Sequence, residues 1–489
     1  MLLTIDIGTS FFKSALWNQD SFLKPYAPDK GSGYLSFASV PLTIKESDGI
    51  MHTADPGKWL DAFSDCLKRL LSGSRLNNFS SVEAIIISGN GPSLVPVLGG
   101  PVFSNKIFIP AQDARLWLDR RSVKYQAQVS EVMGGFVDAS FFLPKILYIR
   151  KEETELFNKT KYFLGCPEYL AYALTDQACS VFPCEGFDRW FWNDNILEKL
   201  DLDKSKFPGF IRPGDLFGTI TQKASDYYGF EKNIPVISGG PDFFAAILGC
   251  GVIRPGQACD RSGSSEGINL CTENKIDDQR LMSYRHPVNP YWNLSGIINT
   301  TGKAVEWGCS FLGFSCFDEF ISSAQRSSRG SKGIVFLPYL AGERAPLWDP
   351  SARALWKGLS LSSGRSEAAN SVLEGIGFAV KDVIKTMEEN GECAHELRVT
   401  GRLALCEPLN QIKADITGKE TLVCACKEAE LLGLAITGAC ALGKYASFAE
   451  AACEMVRVEK HYEPDPENAG IYSRLFDEYK HFQNKKNMM

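Results

Sequence analysis

Two stretches about half the chain apart share one design: LLTIDIGTSFFKSALW at 2–17 and QACDRSGSSEGINLC at 257–271. Each joins an apolar run to a second, half-apolar run through a turn containing glycine and hydroxyl residues, the pattern of a β-hairpin. The first turn holds Gly8, Thr9 and Ser10, with Asp6 just before it and Lys13 just after. The second holds Gly263, Ser264 and Ser265, with Asp260 before it. Glycine lets backbone amides crowd around an anion, the hydroxyls add donors, and Lys13 adds a positive charge. Asp6 is of the type that holds Mg²⁺, directly or through water. Either hairpin alone is an ordinary polar turn. Their repetition at the head of each half predicts a duplicated domain that grips one polyphosphate.

Between the hairpins, residues 234–251 read IPVISGGPDFFAAILGCG. Ile234 to Ser238 has the β-branched, apolar character of a buried strand. Gly239 and Gly240 break it, Pro241 suits a first helical turn, and Phe243 to Leu248 form the apolar body of a helix. Asp242 is therefore expected at a helix N-terminus just past the carboxyl end of a strand, where open α/β sheets bind ligands. As a cap it would only satisfy free N–H groups; as a site residue it would meet a substrate.

The remaining segments alternate in period. Trp59 to Leu71 is helical, Val82 to Ser88 a strand and 89–92 a loop carrying Asn90 and Gly91. Ile107 to Ile109 leads to Asp113 and Arg115, either a surface pair or site residues ahead of a helix. Residues 144–178 are expected to be helical with a break at Gly165 and Pro167, and 186–192 is an aromatic-rich loop. In the second half, strands are expected at 292–298, 334–337 and 397–400. Helices are expected from Gly302, over 367–390, through 411–418 and over 428–442, with a frayed polar tail past Lys480. The α/β alternation and the length predict two large domains, 1–240 and 241–489.

A net charge of -6 argues against a nucleic-acid partner, and no apolar run reaches the roughly 20 residues that span a bilayer. The opening MLLTIDIG lacks a basic n-region and reads as a first strand rather than a signal peptide. Fifteen scattered cysteines, an odd number, fit reduced thiols, and neither they nor the five histidines have metal-ligand spacing. A cytoplasmic protein is expected.

IDIGTS (5–10), PKILYIRKEETELF (144–157), GGPDFFAAILGCG (239–251), SGSSEG (262–267), FLPYLAGERAPLWDPSARALWKGL (336–359) and SVLEGIGFA (371–379) together resemble the FGGY family of carbohydrate kinases. The likeness spans essentially the whole chain and is strongest for the xylulokinase and glycerol kinase branches. It implies two ribonuclease-H-like domains of the actin/hexokinase superfamily, with ATP and sugar meeting in a central cleft. Position by position, it implies that Asp242 deprotonates the substrate hydroxyl and, with Asp6, serves the metal. Asp6, Thr9, Ser10 and Lys13 match the first phosphate and Mg²⁺ loop, and Gly263, Ser264 and Ser265 the second. Gly302 and Gly401 match nucleotide-contacting glycines, while Asn90, Gly91, Asp113 and Arg115 lie in segments that shape the sugar pocket. There are departures. The adenosine loop, usually consecutive glycines, reads VTGRLALC, so Arg402 and Leu403 are expected to crowd a nucleotide or change its stacking. Phe243 stands where the family has Asn or Gln, and the 89–92 loop reads GNGP.

These readings predict an ATP- and Mg²⁺-dependent kinase acting on a small sugar or polyol, a ketose such as xylulose among them, with a homodimer compatible. The alternative is a catalytically weak actin-fold sensor or scaffold that binds sugar or nucleotide. The altered adenosine loop favours the alternative, whereas Asp6, Asp242 and Ser264 favour the kinase.

Overall fold

A computed structural model describes residues 1–18, 33–74, 76–98 and 111–486. The backbone packs as two compact units, Met1–Gly249 with Glu430–Met455, and Cys250–Ala429 with Val456–Met489. Asp242 and the helix it opens belong to the first.

The first unit is built on a six-stranded sheet. Its strands are β1 (Leu2–Ile7), β2 (Phe11–Trp17), β3 (Ser36–Pro41), β4 (Ala84–Gly89), β5 (Leu216–Thr219) and β6 (Pro235–Pro241), in the order β5-β6-β4-β1-β2-β3. β1 and β2 form the expected antiparallel hairpin, while β4 runs parallel to both β1 and β6. Every residue of β1 and β4 is buried, the near-continuous apolar run of a strand covered on both faces. Helices α1 (Pro56–Ser74) and α2 (Cys166–Thr175) lie between β3 and β4 and between β4 and β6 in the chain, and α3 (Asp242–Gly249) follows β6. Trp59, Phe63, Tyr169 and Leu170 carry α1 and α2 into the same core as Ile5, Ile7 and Ile87.

The second unit repeats this plan. Its seven strands are β7 (Gln257–Ser262), β8 (Glu266–Thr272), β9 (Met282–Arg285), β10 (Trp292–Ile298), β11 (Glu396–Thr400), β12 (Glu420–Cys424) and β13 (Val458–Tyr462). They are ordered β9-β10-β8-β7-β11-β12-β13. Again an antiparallel hairpin, β7-β8, opens the unit, and β11 and β12 add in parallel beyond β7. Helices α4 (Gly302–Phe311) and α5 (Arg365–Glu389) separate β10 from β11, and α6 (Glu407–Thr417) separates β11 from β12. The sub-order β3-β2-β1-β4-β6 of the first sheet and β10-β8-β7-β11-β12 of the second is one topology used twice. The duplication read from two hairpins extends to whole sheets.

Three expectations change. The stretch 144–178 is not continuously helical: Thr160–Leu164 is a strand paired antiparallel with Val95–Leu98, as its β-branched and aromatic residues favour. Asp113 and Arg115 do not lead directly into a helix; Ala114–Arg115 is a short strand. The tail past Lys480 continues the helix Pro466–Lys486, held by Gln483, which is 2% exposed and donates to Tyr339 Oη at 2.9 Å and Asp382 Oδ2 at 2.6 Å. The stretch Ile107–Ile109 that leads to Asp113 lies outside the described residues.

Candidate active site

Three parallel strands of the first unit end side by side, and the sequence-predicted residues sit at those ends. Asp6 is the penultimate residue of β1 and pairs in register with Ser88 of β4; Asn90 follows β4, and Asp242 follows β6. β4 lies between the other two, so Asp6 and Asp242 stand at the carboxyl edge with their backbones about two strand spacings, or roughly 10 Å, apart along the sheet. Asp6 is 6% exposed and Asp242 half-buried. Both bear on the Cys166 thiol at the start of α2. Burial pushes that thiol well up, and the negative charges of Glu168, Asp6 and Asp242 add to the rise. The thiol donates to the Asn90 carbonyl at 3.0 Å, which locks α2 onto the end of β4.

The residues around this edge divide into anchors and open groups. Asn90 is an anchor. Its Nδ2 donates to the Ile7 carbonyl at 2.8 Å and its Oδ1 accepts from Ser93, so its amide ties β4 to β1. Arg115, 3% exposed, is a second anchor, with its guanidinium paired with Glu153 and lying 5.1 Å from the Tyr148 ring centroid. Asp113 does not pair with Arg115 but with the exposed Lys45 at 2.8 Å. Gly91, Ser10 and the neighbouring Phe11 are exposed, and Thr9 Oγ1 accepts from Trp117 Nε1 at 3.1 Å. Lys13 sits opposite Asp6 across the β1-β2 ladder.

Several residues here escaped the sequence reading. Lys145 is fully buried and donates to the Pro92 carbonyl at 2.7 Å, bracing the 89–92 loop from behind. Burial pulls its ammonium well below the usual lysine range. A lysine inside the apolar run PKILYI was the available signal. Phe187, read as loop packing, stacks on Phe243 beside Asp242, with centroids 5.8 Å apart and planes 12° from parallel. Trp190 meets Phe187 edge-on and stacks on Phe141. These contacts are long-range and left no pattern in the sequence.

In the second unit the predicted residues gather around the β7-β8 tip. Gly263 N donates to the Ser265 carbonyl at 2.9 Å, closing the turn. The start of α4 is clamped to it: Thr301 N and Lys303 N donate to the Ser264 carbonyl, each at 3.2 Å, and Gly302 N to the Gly263 carbonyl at 3.0 Å. A side chain at 302 could not fit, since its Cβ would stand 2.4 Å from the Gly263 oxygen. Gly401, at the end of β11, has φ +86°, and a Cβ there would meet the Ser262 carbonyl oxygen at 2.6 Å. Both glycines are therefore needed for the loop's own packing, whatever they touch besides.

The adenosine-loop expectation needs one correction. Leu403 does not crowd a nucleotide; it is 4% exposed and packs into the core with Leu409 and Ile412. Arg402 does project outward, with a side chain 79% exposed and only a loose 3.9 Å approach to Glu306.

Asp260, grouped in the sequence with Asp6, is not its counterpart. It stands three residues before Gly263, whereas Asp6 stands two before Gly8. A one-residue offset in a strand turns the side chain to the other face. Asp260 is fully buried against Lys413 at 2.7 Å.

Among the described residues no three His, Cys, Asp or Glu side chains form a metal cage, and no helix is long and apolar enough to cross a membrane. Comparison with known proteins agrees with the duplicated topology. Residues 1–249 match the N-terminal domain, and 261–442 the C-terminal domain, of the FGGY family of carbohydrate kinases. A xylulose kinase of Staphylococcus epidermidis is 26% identical over 501 residues, covering 98% of this chain and 95% of that protein. The crystal structures of gluconate kinase and ligand-bound xylulose kinase from Lactobacillus acidophilus each superpose with a TM-score of 0.84. They cover 99% of this chain and 97% and 98% of theirs, at 21% and 22% identity. With both of its domains matched in order, this chain belongs to the FGGY family of carbohydrate kinases, enzymes of the actin/hexokinase fold that phosphorylate sugars with ATP.

Proposed function

We propose that the acceptor is a small ketose or polyol, with xylulose as first candidate, and that Asp242 is the general base. The carrying observation is that Asp242 opens α3 directly off the carboxyl end of β6, at the edge shared with Asp6. From that edge a carboxylate can reach a hydroxyl proton, as a general base must. The acceptor hydroxyl oxygen forms a bond to the γ-phosphorus, the bond from that phosphorus to the bridging oxygen breaks, and ADP departs. The hydroxyl proton passes to the Asp242 carboxylate. Thr9, Ser10 and Lys13 from the first hairpin, and Ser264 and Ser265 from the second, are the donors this reading assigns to phosphate oxygens.

Asp6 and Asp242 offer hard oxygen ligands at one sheet edge, a donor set that fits Mg²⁺ held by one or two carboxylates plus phosphate. When bound, the ion neutralises charge on the transferring phosphoryl group. The xylulose assignment is supported by relatives named xylulose kinase that align over nearly the full chain. A cytoplasmic setting, a homodimer and the absence of nucleic-acid or membrane partners complete the proposal.

ADP release measured across ketoses, polyols and aldonates tests it. D-Xylulose is expected to give the highest kcat/KM. A clear preference for gluconate would overturn the substrate assignment, and one for glycerol the choice of xylulose, while either leaves the kinase activity intact.

A further inference from the structure

Directly beneath the tip of the second hairpin lies a cluster of three charged side chains with no solvent exposure. Lys413 Nζ, from α6, donates to Asp260 Oδ2 at 2.7 Å, to Ser262 Oγ at 3.1 Å and to Glu266 Oε1 at 2.5 Å. All three ammonium donors are thus used. Ser262 Oγ in turn donates to Glu266 Oε2 at 3.0 Å. Asp260 and Ser262 belong to β7 and Glu266 to β8, so one lysine joins both arms of the hairpin. Ser262 and Glu266 are the last ladder pair before Gly263–Ser265. α6 is also the helix that follows the Gly401 turn, whose backbone rests on Ser262.

The fold does not require this chemistry. Counted from Gly8, the first hairpin has Ile5 and Ile7 where the second has Asp260 and Ser262, and both isoleucines are fully buried. Apolar residues therefore suffice for the same topology in the same chain. Buried ion pairs are seldom better for stability than apolar packing, so the cluster calls for another reason.

We propose that Lys413 is a positioning residue for the nucleotide: with Glu266 and Ser262 it fixes the Gly263–Ser265 tip against the Gly401 turn. This rests on the reading of that tip as a phosphate loop. A salt-bridged, hydrogen-bonded lysine sets direction and distance in a way that apolar side chains, free to slide, do not. The protonation pattern agrees. Burial, then the neighbouring Glu266 charge, push Asp260 well up, while Lys413 holds Glu266 below its ordinary range. The cluster then balances as one ammonium, one carboxylate and one neutral acid.

The test compares variants by calorimetric titration with ADP and by thermal unfolding. The double variant Lys413→Met/Glu266→Gln removes both charges together and leaves none uncompensated. It is expected to unfold near the wild-type temperature yet bind ADP roughly tenfold or more weakly, with KM for ATP raised to match. Asp260→Asn is expected to bind ADP as wild type does. Wild-type ADP affinity in a folded double variant would overturn the proposal and reduce the cluster to a structural tie. Should the double variant fail to fold, Ser262→Ala takes its place, because it removes one bond from each partner and no charge. Weaker ADP binding there supports the proposal, and unchanged binding overturns it. A wild-type protein that binds no ADP would overturn the phosphate-loop reading itself.

Discussion

The rings of Phe187 and Phe243 stack with centroids 5.8 Å apart and planes 12° from parallel. Phe243 is the second residue of the helix that Asp242 opens, and Phe187 comes from a loop more than fifty residues earlier. Where a polar side chain would offer a hydrogen bond beside Asp242, this chain sets an apolar wall. Such a wall selects by shape and by C–H contact, and losing it costs on the order of tenfold in binding. Phe187→Ala is expected to raise acceptor KM about tenfold, with KM for ATP unchanged. Phe243→Asn should broaden acceptor choice towards more hydroxylated sugars. Steady-state kinetics across the acceptor panel checks both; an acceptor profile untouched by either substitution would make the stack mere packing.

Asp242 carries the sharpest expectation. If it accepts the hydroxyl proton, Asp242→Asn should lower kcat by about 10²–10⁴-fold, the usual scale of general-base catalysis, while ADP affinity stays near wild type. The amide can still cap α3, so the helix is expected to survive. Turnover retained by the Asn variant would leave Asp242 a cap and move the base elsewhere.

The sequence was most readable where function and fold share a local signal. The two hairpins, the strand–helix turn at Asp242 and the start of α4 at Gly302 lie where turn chemistry and period place them. What stayed hidden was decided by distant partners. Asn90 looked like a pocket residue, yet its amide is spent on Ile7 and Ser93. Arg115, read either as half of a surface pair with Asp113 or as a site residue, is paired with Glu153. Asp260 looked like a second Asp6, but an offset of one residue sent it into the core with Lys413. No local pattern records which face of a sheet a neighbour will cover. The Thr160–Leu164 strand was missed for a related reason, since it pairs with Val95–Leu98 rather than with a sequence neighbour.

Glu168 gives stability a pH dependence that can be checked by urea unfolding. Its carboxyl is buried, and burial pushes it up to about 7, against which its bond from Val181 N at 3.0 Å is a minor counterweight. In the unfolded chain the group titrates near about 4.3. Between these values the folded state holds a proton that the unfolded state has lost, so this contribution is fully present below the unfolded value and fades as pH rises through about 7. Glu168→Gln should remove that slope and gain stability relative to wild type at pH above 7, by at most about 4 kcal/mol. Parallel pH profiles for the two proteins would show that folding does not raise the Glu168 carboxyl.

Arg402 is where the chain leaves its family's glycine-rich loop, and the geometry leaves its guanidinium available. The side chain is 79% exposed, its nearest acidic partner is 3.9 Å away, and Leu403 turns inward beside it. A surface ion pair that long contributes little, so stability should not depend on it. A planar guanidinium can instead stack on an adenine face, supplying from a side chain the contact that glycine backbone would give. On this proposal Arg402→Ala and Arg402→Gly both weaken ATP binding, by roughly threefold to tenfold, with unfolding temperature unchanged. They should also narrow the gap between ATP and nucleotides with smaller bases. Titration with ATP and with a pyrimidine nucleotide separates the cases. Equal affinity in wild type and Ala marks a bystander. Tighter binding in Gly means the side chain was an obstruction, and either result ends the stacking proposal.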